Sequence, residues 1–280
     1  MVITIVGLGL IGGSLAKDLR ANGFASRLIG VDANAEHGRI AMEEGLVDEI
    51  RELEKACKVS DIVVLAVPVN ALQKLIAQVL YTIESHAVVV DMGSTKKEIA
   101  QQINGHPMRR RAVLAHPMAG TEYSGPQAAV ANLFHQKAAI ICDADHSDPD
   151  AVQLVERMFK SLFMRLLYME STDHDMHAAY VSHISHVSSF ALALTVLEKE
   201  KSEANIFNLA SGGFASTVRL AKSSPQMWRD VYEQNADNLV DVLDNYIEKV
   251  SAFREAIASG KFEQTFTYME EANEIKRILG

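Results

Sequence analysis

The sequence predicts an α/β protein with a doubly wound, mainly parallel sheet, followed by an all-helical domain. Three observations support this fold class: short β-branched runs alternate with helical patterns, a glycine-rich turn follows the first run, and the alternation stops near residue 171. The predicted domains are residues 1–170 and 171–280.

Six apolar runs in the first part are predicted to be strands. Near-continuous apolar runs of this length suit a parallel sheet that is buried on both faces. Helical patterns separate several of them, at residues 12–22, 35–43 and 69–83. The basic run Arg109–Arg111 is interpreted as a solvated loop before the fifth strand. The six runs read VITIVGL, RLIGVD, DIVVLAVP, AVVVDMG, AVLAHP and AAIICDA.

The second part contains helical patterns only. Between residues 173 and 279 these patterns are broken at "SGG", "SSP" and "SG". Residues 177–197 are apolar on nearly every face, and such a helix is usually buried in a bundle or against another chain. A homodimer through the helical domain is therefore expected.

Composition and charge restrict the partners. The net charge of −9 argues against nucleic acid, because a phosphate backbone needs a basic surface. Cys57 and Cys142 are isolated from each other, which suits a reducing compartment. The first residues are predicted to form a strand rather than a signal peptide, and the apolar run "VSSFALALTVL" is too short to cross a bilayer. A cytoplasmic protein without a membrane segment is expected.

The turn after the first strand has the spacing of a dinucleotide-binding site. Gly7 allows a tight turn, Gly9 lets a pyrophosphate approach the backbone, and Gly12 lets helix and strand pack closely. Asp32 ends the second strand about 20 residues later, where a carboxylate binds ribose hydroxyls and repels a 2′-phosphate. NAD is therefore favoured over NADP, although Arg39 could accommodate a phosphate. The alternative is a glycine-rich turn with an incidental Asp. The predicted cofactor-binding residues are Gly7, Gly9, Leu10, Ile11, Gly12, Asp32, Val67 and Pro68.

Ser94 and His116 end two successive strands, so both are expected to face one crevice. Ser94 could contact substrate, cap a helix over residues 95–103, or do both. A strand-end histidine such as His116 is either packed in the core or a base directed into the cleft. Pro117 would fix the backbone beneath it.

Five segments, in order, resemble the prephenate dehydrogenase family, whose close relatives are the arogenate dehydrogenases. They are GLGLIGGSLA, DMGSTK, HPMAGTEYSG, SHISH and GGFASTVRLA with the MW that follows it. The resemblance covers nearly the whole chain. It implies a Rossmann-type domain, and NAD-dependent oxidative decarboxylation of prephenate to 4-hydroxyphenylpyruvate and CO2 in tyrosine biosynthesis.

The resemblance also implies roles for individual residues. His116 matches the histidine that takes the proton of the substrate hydroxyl, and Ser94 the serine that orients it. Arg219 matches an arginine that clamps a substrate carboxylate. One departure is Ser216, which stands where many members have an acid three positions before this arginine. The remaining implied residues are Glu122 at the cleft entrance, Ser182 and His186 facing substrate, and His183 in support. Thr121 could hydrogen-bond the cofactor or the substrate, and either Thr121 or Glu122 could equally be an ordinary turn residue. Trp228 could line the ring pocket or pack the helical bundle.

Other interpretations stay open. Nothing in the sequence separates prephenate from arogenate as the substrate. A dinucleotide-binding regulator would keep the glycine turn without needing His116 or Arg219. A dehydrogenase of the 6-phosphogluconate type is disfavoured, because no lysine–asparagine pair follows the first domain. A metal site near Asp173 and His174 is also disfavoured, because zinc needs three or four convergent ligands.

Overall fold

The computed structural model describes residues 1–201 and 206–279. The strands are β1 (Val2–Val6), β2 (Arg27–Val31), β3 (Glu49–Ile50), β4 (Ile62–Leu65), β5 (Val88–Asp91), β6 (Ala112–Pro117), β7 (Ala138–Cys142) and β8 (Arg165–Met169). The helices are α1 (Leu10–Ala21), α2 (Ala35–Glu43), α3 (Leu53–Cys57), α4 (Val69–Thr82), α5 (Lys97–Ile103), α6 (Pro149–Ser161), α7 (Ser171–Ala178), α8 (Ile184–Glu200), α9 (Gly212–Thr217), α10 (Pro225–Gln234), α11 (Ala236–Ala258), α12 (Phe262–Ala272) and α13 (Lys276–Leu279).

All eight strands form one sheet in the order β3-β2-β1-β4-β5-β6-β7-β8. Every neighbouring pair is parallel except β6 and β7, which are antiparallel. The chain leaves the central strand β1 in one direction and returns to β4 on its other side. This reversal creates a crevice at the carboxyl ends of the strands, where open α/β sheets bind ligands.

The core lies on both faces of the sheet, because successive strand residues point to opposite sides. Ile62 and Val64 pack into the cluster that includes residues of α1 and α6. Val63 and Leu65 pack into the opposite cluster, with residues of α4 and α5. This two-sided burial explains why the strands are continuous apolar runs, and the predicted fold class is confirmed.

Two strands were missed in the sequence. β3 has two residues, and β8 lies at the edge of the sheet, where none of its residues is fully buried, so neither has the sequence pattern of a buried strand. The interpretation of Arg109–Arg111 as a solvated loop is wrong. Arg109 and Arg111 are 5 % and 9 % exposed. Arg111 donates to the carbonyl oxygens of His86 and Ala87 and pairs with Asp150.

By its contacts the chain divides into two compact units, residues 1–235 and 236–280. In the first unit, the predicted domain boundary after residue 170 falls between the end of β8 and the start of α7. In the second unit, α11 contacts α12, and the rings of Phe253 and Tyr268 lie 5.2 Å apart.

The helix after β8 runs without interruption over Ser171–Glu200 as α7, a π-helical turn (Ala179–His183) and α8. At 30 residues it is long and apolar enough to cross a membrane. Only 11 % of its most apolar 18-residue stretch is buried. It extends far beyond the eleven residues of "VSSFALALTVL", so the length of that segment does not exclude a membrane span. Of the seventeen residues in α8, Ser189 alone is buried.

Candidate active site

The glycine turn between β1 and α1 fits a dinucleotide. Gly7 has φ of +93°, and a Cβ there would lie 2.4 Å from the Ala66 carbonyl oxygen. A Cβ on Gly12 would lie 1.9 Å from the Gly7 carbonyl oxygen, whereas a Cβ on Gly9 would meet no atom within 4 Å. Gly7 and Gly12 therefore leave no room for a side chain, whereas Gly9, the N-cap of α1, faces open space.

The start of α1 is suited to an anion. Gly9 has no side chain to accept from the first free N–H groups, and the first turn has no acidic residue. Unpaired amides at a helix N-terminus bind phosphate well. Leu10 and Ile11 begin this helix, and both are partly exposed.

Asp32 lies directly after β2 and is held by the same turn. Its Oδ2 accepts from the Leu8 backbone N–H at 2.8 Å, and its Oδ1 accepts from the Asn34 N–H at 2.8 Å. Arg39, the residue that could have served a 2′-phosphate, is paired with Glu36 and Glu43. The arrangement favours a ribose with a free 2′-hydroxyl. Val67 is half-buried and Pro68 exposed, where β4 leads into α4.

A buried ion pair underlies the ends of β5 and β6. Lys96 is 0 % exposed and Asp91 is 1 % exposed. The Lys96 ammonium donates to the Asp91 carboxylate and, at 2.8 Å, to the Ala115 carbonyl oxygen. Burial raises the pKa of Asp91, and the Lys96 charge opposes that rise. Neither residue was identified as part of the site from the sequence.

His116 is the penultimate residue of β6 and is 9 % exposed. Its Nδ1 lies 2.8 Å from Nε2 of His174, a residue of α7. Nδ1 of His174 lies 2.7 Å from Oδ1 of Asp175. Burial lowers the pKa of His116 well below 6.5, and His174, Lys96 and His183 lower it further. The imidazole is therefore neutral near pH 7.

Ser94 lies in the loop between β5 and α5 and is half-buried. Neither of its expected contacts is present: it is not the N-cap of α5, and His116 is hydrogen-bonded to His174 rather than to Ser94. The N–H groups of Lys96 and Lys97 instead donate to the Asp175 carboxylate, at 2.8 and 2.9 Å. Asp175 therefore caps the start of α5, which was one of the roles expected of Ser94.

The π-helical turn brings a second group of side chains together. His186 stacks on Trp228 with ring centroids 3.5 Å apart, and its Nδ1–H donates to the Ser182 carbonyl oxygen at 3.1 Å. His183 packs edge-on against the same indole, at 5.8 Å. Burial lowers the pKa of His183 to about 4 and also lowers that of His186. Both rings are therefore neutral near pH 7.

Arg219 and Glu122 form an ion pair, with Nη1 and Oε2 3.2 Å apart. Arg219 is half-exposed, in the short 3₁₀ segment after α9, and its charge also lowers the pKa of His186. Ser216 is exposed in α9, so Glu122 is the acid that pairs with the arginine here. Thr121 is exposed, and its hydroxyl accepts from the Tyr123 N–H at 3.2 Å.

Polar side chains join α10 to this region. The Asn235 amide donates to the Asp175 carbonyl oxygen at 2.7 Å and to Nδ1 of His183 at 3.1 Å. The Thr95 hydroxyl donates to Gln234 at 2.6 Å. These contacts connect residues far apart in the sequence, which gave no signal of them beyond the polar residues themselves. Within residues 1–201 and 206–279, no group of three or more His, Cys, Asp or Glu side chains is placed to hold a metal ion.

Two family models cover almost the whole chain. Residues 15–168 match the nucleotide-binding domain of prephenate dehydrogenase, and residues 170–271 match its dimerization domain.

Three known proteins extend this finding. Prephenate dehydrogenase of Bacillus subtilis is 30% identical over 98% of this chain and 75% of its own length. The crystal structure of prephenate dehydrogenase from A. aeolicus, in complex with hydroxyphenyl propionate and NAD+, is 31% identical, with a TM-score of 0.90 over 99% of this chain and 97% of that one. Synechocystis arogenate dehydrogenase is 26% identical, with a TM-score of 0.78 over all of both chains.

The glycine turn yields a matched pair of variants. Gly12→Ala should destabilise the fold by about 1–3 kcal/mol, because its methyl group would overlap the Gly7 carbonyl. Gly9→Ala should leave stability unchanged and weaken NAD binding, because its methyl group points into open space at the helix start. Thermal unfolding and NAD titration measure the two effects. Unchanged NAD affinity in Gly9→Ala would place the phosphates elsewhere.

The two family models together span residues 15–271, and the Bacillus subtilis and A. aeolicus proteins match nearly the whole chain at 30% and 31% identity. The chain belongs to the prephenate dehydrogenase family.

Proposed function

We propose that the protein oxidatively decarboxylates prephenate to 4-hydroxyphenylpyruvate and CO2, with NAD as its cofactor, in tyrosine biosynthesis. The observation that carries the proposal is the neutral, buried imidazole of His116, which lies at the carboxyl end of β6. The glycine turn follows the carboxyl end of the parallel strand β1, at the same end of the sheet. The prediction of an NAD-dependent oxidoreductase is confirmed by the family and by the NAD+ complex of the A. aeolicus relative.

His116 accepts the proton of the substrate's ring hydroxyl. NAD, when bound, supplies the two-electron acceptor for the oxidation. The hydride on the hydroxyl carbon leaves and a carbonyl forms. The bond to the ring carboxylate then breaks to release CO2, its electron pair makes the ring aromatic, and the ring oxygen takes a proton back to become the product hydroxyl. The enzyme therefore has to orient the ring, and His116 has to take one proton and return it. A neutral base at working pH meets that requirement, since its lone pair is available without prior deprotonation.

Arg219 is the proposed clamp for a substrate carboxylate. Prephenate is a dianion and the chain carries a net charge of −9, so binding depends on a local cation. Glu122 holds the arginine in the free protein, and a substrate carboxylate would replace it. Exchange of one carboxylate for another keeps the guanidinium paired throughout, which suits a gate at the cleft entrance.

The remaining side chains are assigned by their neighbourhood. His186 and Trp228 form a stacked wall suited to a flat ring. Ser182, whose carbonyl oxygen accepts from His186, and Thr121 are proposed to contact the substrate. Ser94 lies in the loop that precedes α5 and is proposed to contact substrate and cofactor.

Arogenate is the second candidate substrate, because one structural relative is named an arogenate dehydrogenase. It carries an amine where prephenate carries a keto group. Turnover of prephenate and arogenate, each with NAD and with NADP, compares the four combinations directly. Prephenate with NAD should give the highest kcat/KM.

The helical part is proposed to form a homodimer in the cytoplasm. Its family model is named a dimerization domain, and α8 exposes Leu194 and Leu197 at 66 % and 50 %. A second copy of the chain would remove this apolar surface from water. An apolar surface that is buried between two copies also accounts for the high hydropathy of the helix Ser171–Glu200. Both cysteines are buried and free, in keeping with a reducing compartment.

His116→Asn should retain NAD binding and lower kcat by about 10²–10⁴-fold, because the amide cannot act as a base. Formation of NADH on adding prephenate gives the rate, and NAD titration gives the binding. His86→Asn, at an exposed histidine, is the control. Equal inertness of wild type and His116→Asn, with NAD bound normally, would favour a regulatory protein over an enzyme.

Arg219→Ala should raise KM for prephenate by about 10–100-fold, the equivalent of one charge-assisted hydrogen bond. Arg219→Lys should recover part of the loss, because it keeps the charge without the planar fork. Arg229→Ala removes an exposed arginine paired with Asp230 and should leave KM unchanged. An unchanged KM in Arg219→Ala would contradict the clamp.

Leu194→Glu should convert a dimer to a monomer, because it places a charge on the exposed apolar face of α8. Light scattering on the protein eluted from a size-exclusion column measures its molar mass. Val59→Glu, at a half-exposed position outside the helical part, should leave the mass unchanged. A monomeric wild-type protein would contradict the dimer.

A further inference from the structure

We propose that His174 and Asp175 are positioning residues that hold His116 in the tautomer whose Nε2 is free to accept a proton. The three side chains form a linear hydrogen-bonded chain, with 2.8 Å between the two imidazoles and 2.7 Å between His174 and the carboxylate. His174 and Asp175 are each 1 % exposed, so water does not compete for these contacts. The inference rests on the proposed role of His116 as the base.

The direction of each hydrogen bond follows from Asp175. A backbone N–H can only donate, and the two carboxylate oxygens accept from the N–H groups of Lys96 and Lys97. Both oxygens therefore act as acceptors in these contacts. Nδ1 of His174, which contacts Oδ1, must donate to it.

The orientation of His116 follows in turn. In a neutral imidazole one nitrogen carries the proton and the other accepts. Because Nδ1 of His174 donates, its Nε2 accepts, and Nδ1 of His116 is the donor. The proton of neutral His116 is thus on Nδ1. The lone pair of Nε2 remains for the substrate.

The same chain stabilises the product of proton transfer. Once Nε2 of His116 is protonated, its Nδ1–H still donates to His174, and the positive charge is balanced through that ring by the Asp175 carboxylate. This is the role that the buried aspartate has in the Ser-His-Asp triad, where it orients the histidine without taking its proton. Here an extra imidazole separates the carboxylate from the base.

The carboxylate itself is rigidly held. Besides its two backbone donors at the start of α5, the Asp175 carbonyl oxygen accepts from the Asn235 side chain at 2.7 Å. Helices α5, α7 and α10 therefore meet at this residue. Rotation of His174 would require breaking a bond to a fixed acceptor, so the ring is locked in one orientation.

The tautomer can be observed without turnover. Side-chain ¹⁵N NMR of the full-length protein distinguishes an Nδ1–H from an Nε2–H histidine, and loss of the signal in His116→Asn assigns it. His116 should be the Nδ1–H tautomer. An Nε2–H signal on neutral His116 would overturn the proposal, because Nδ1 of His116 would then accept the hydrogen bond from Nε2 of His174.

A matched pair of variants tests the contact in catalysis. In His174→Gln the amide reaches the position of Nε2 and can accept from His116. In His174→Asn the amide reaches only the position of Nδ1, so it keeps the contact with Asp175 and loses the one with His116. His174→Asn should lower kcat by about 10²-fold with KM for prephenate and NAD affinity unchanged, and His174→Gln should recover most of that loss.

The outcomes separate two failures. If kcat follows thermal stability equally in both variants, His174 has a merely structural role and the proposal is overturned. If His174→Asn has the kcat of wild type, the contact does not matter and the proposal is overturned. If instead His116→Asn itself keeps full turnover, the assignment of the base fails, while the NMR result still decides the tautomer.

Discussion

The Asp175 carboxylate is the interaction on which the rest of the site depends. It is 1 % exposed and accepts from two backbone N–H groups at the start of α5 and from the His174 ring. A buried carboxylate is stable only with such partners. The requirement is mutual, because among the residues that the structure describes α5 has no other side-chain cap and the His174 ring has no other acceptor. The Asp175 carboxylate therefore joins α7 to the start of α5 and, through His174, to the carboxyl end of β6, where His116 lies.

Burial of charge also sets the chemistry of the site. Lys96 and Asp91 neutralise each other beneath the strand ends, and the remaining field of the ammonium disfavours a second cation nearby. Burial of its own ring is the main reason why the pKa of His116 is lowered, and the charges nearby add to that effect. An exposed histidine would be partly protonated at slightly acidic pH, whereas His116 is neutral. The proposed base is therefore unprotonated before substrate binds.

Two surface features bear on binding: the ion pair between Arg219 and Glu122, and the apolar helix α8. The chain carries a net charge of −9, and the guanidinium of Arg219, the residue proposed to bind a substrate carboxylate, is paired with Glu122. Of the residues in the apolar helix α8, Ser189 alone is buried in one chain, and the others are half-buried or exposed. The proposed clamp would need a substrate carboxylate to replace Glu122, and the proposed dimer would need another copy of the chain to cover α8.

The sequence by itself determined the layered fold, the glycine turn, Asp32 and the position of His116 at a strand end. These are local patterns, because an apolar strand run and the glycine spacing of a turn each involve only a few neighbouring residues. Only the tertiary structure decided which partner orients His116, because His174 lies 58 positions away and becomes its neighbour through helix packing on the sheet. The same reason explains why Asp175 rather than Ser94 receives the N–H groups of α5. A hydrogen bond depends on distances of a few tenths of an ångström, and such distances between remote segments are set by packing rather than by any repeating pattern in the chain.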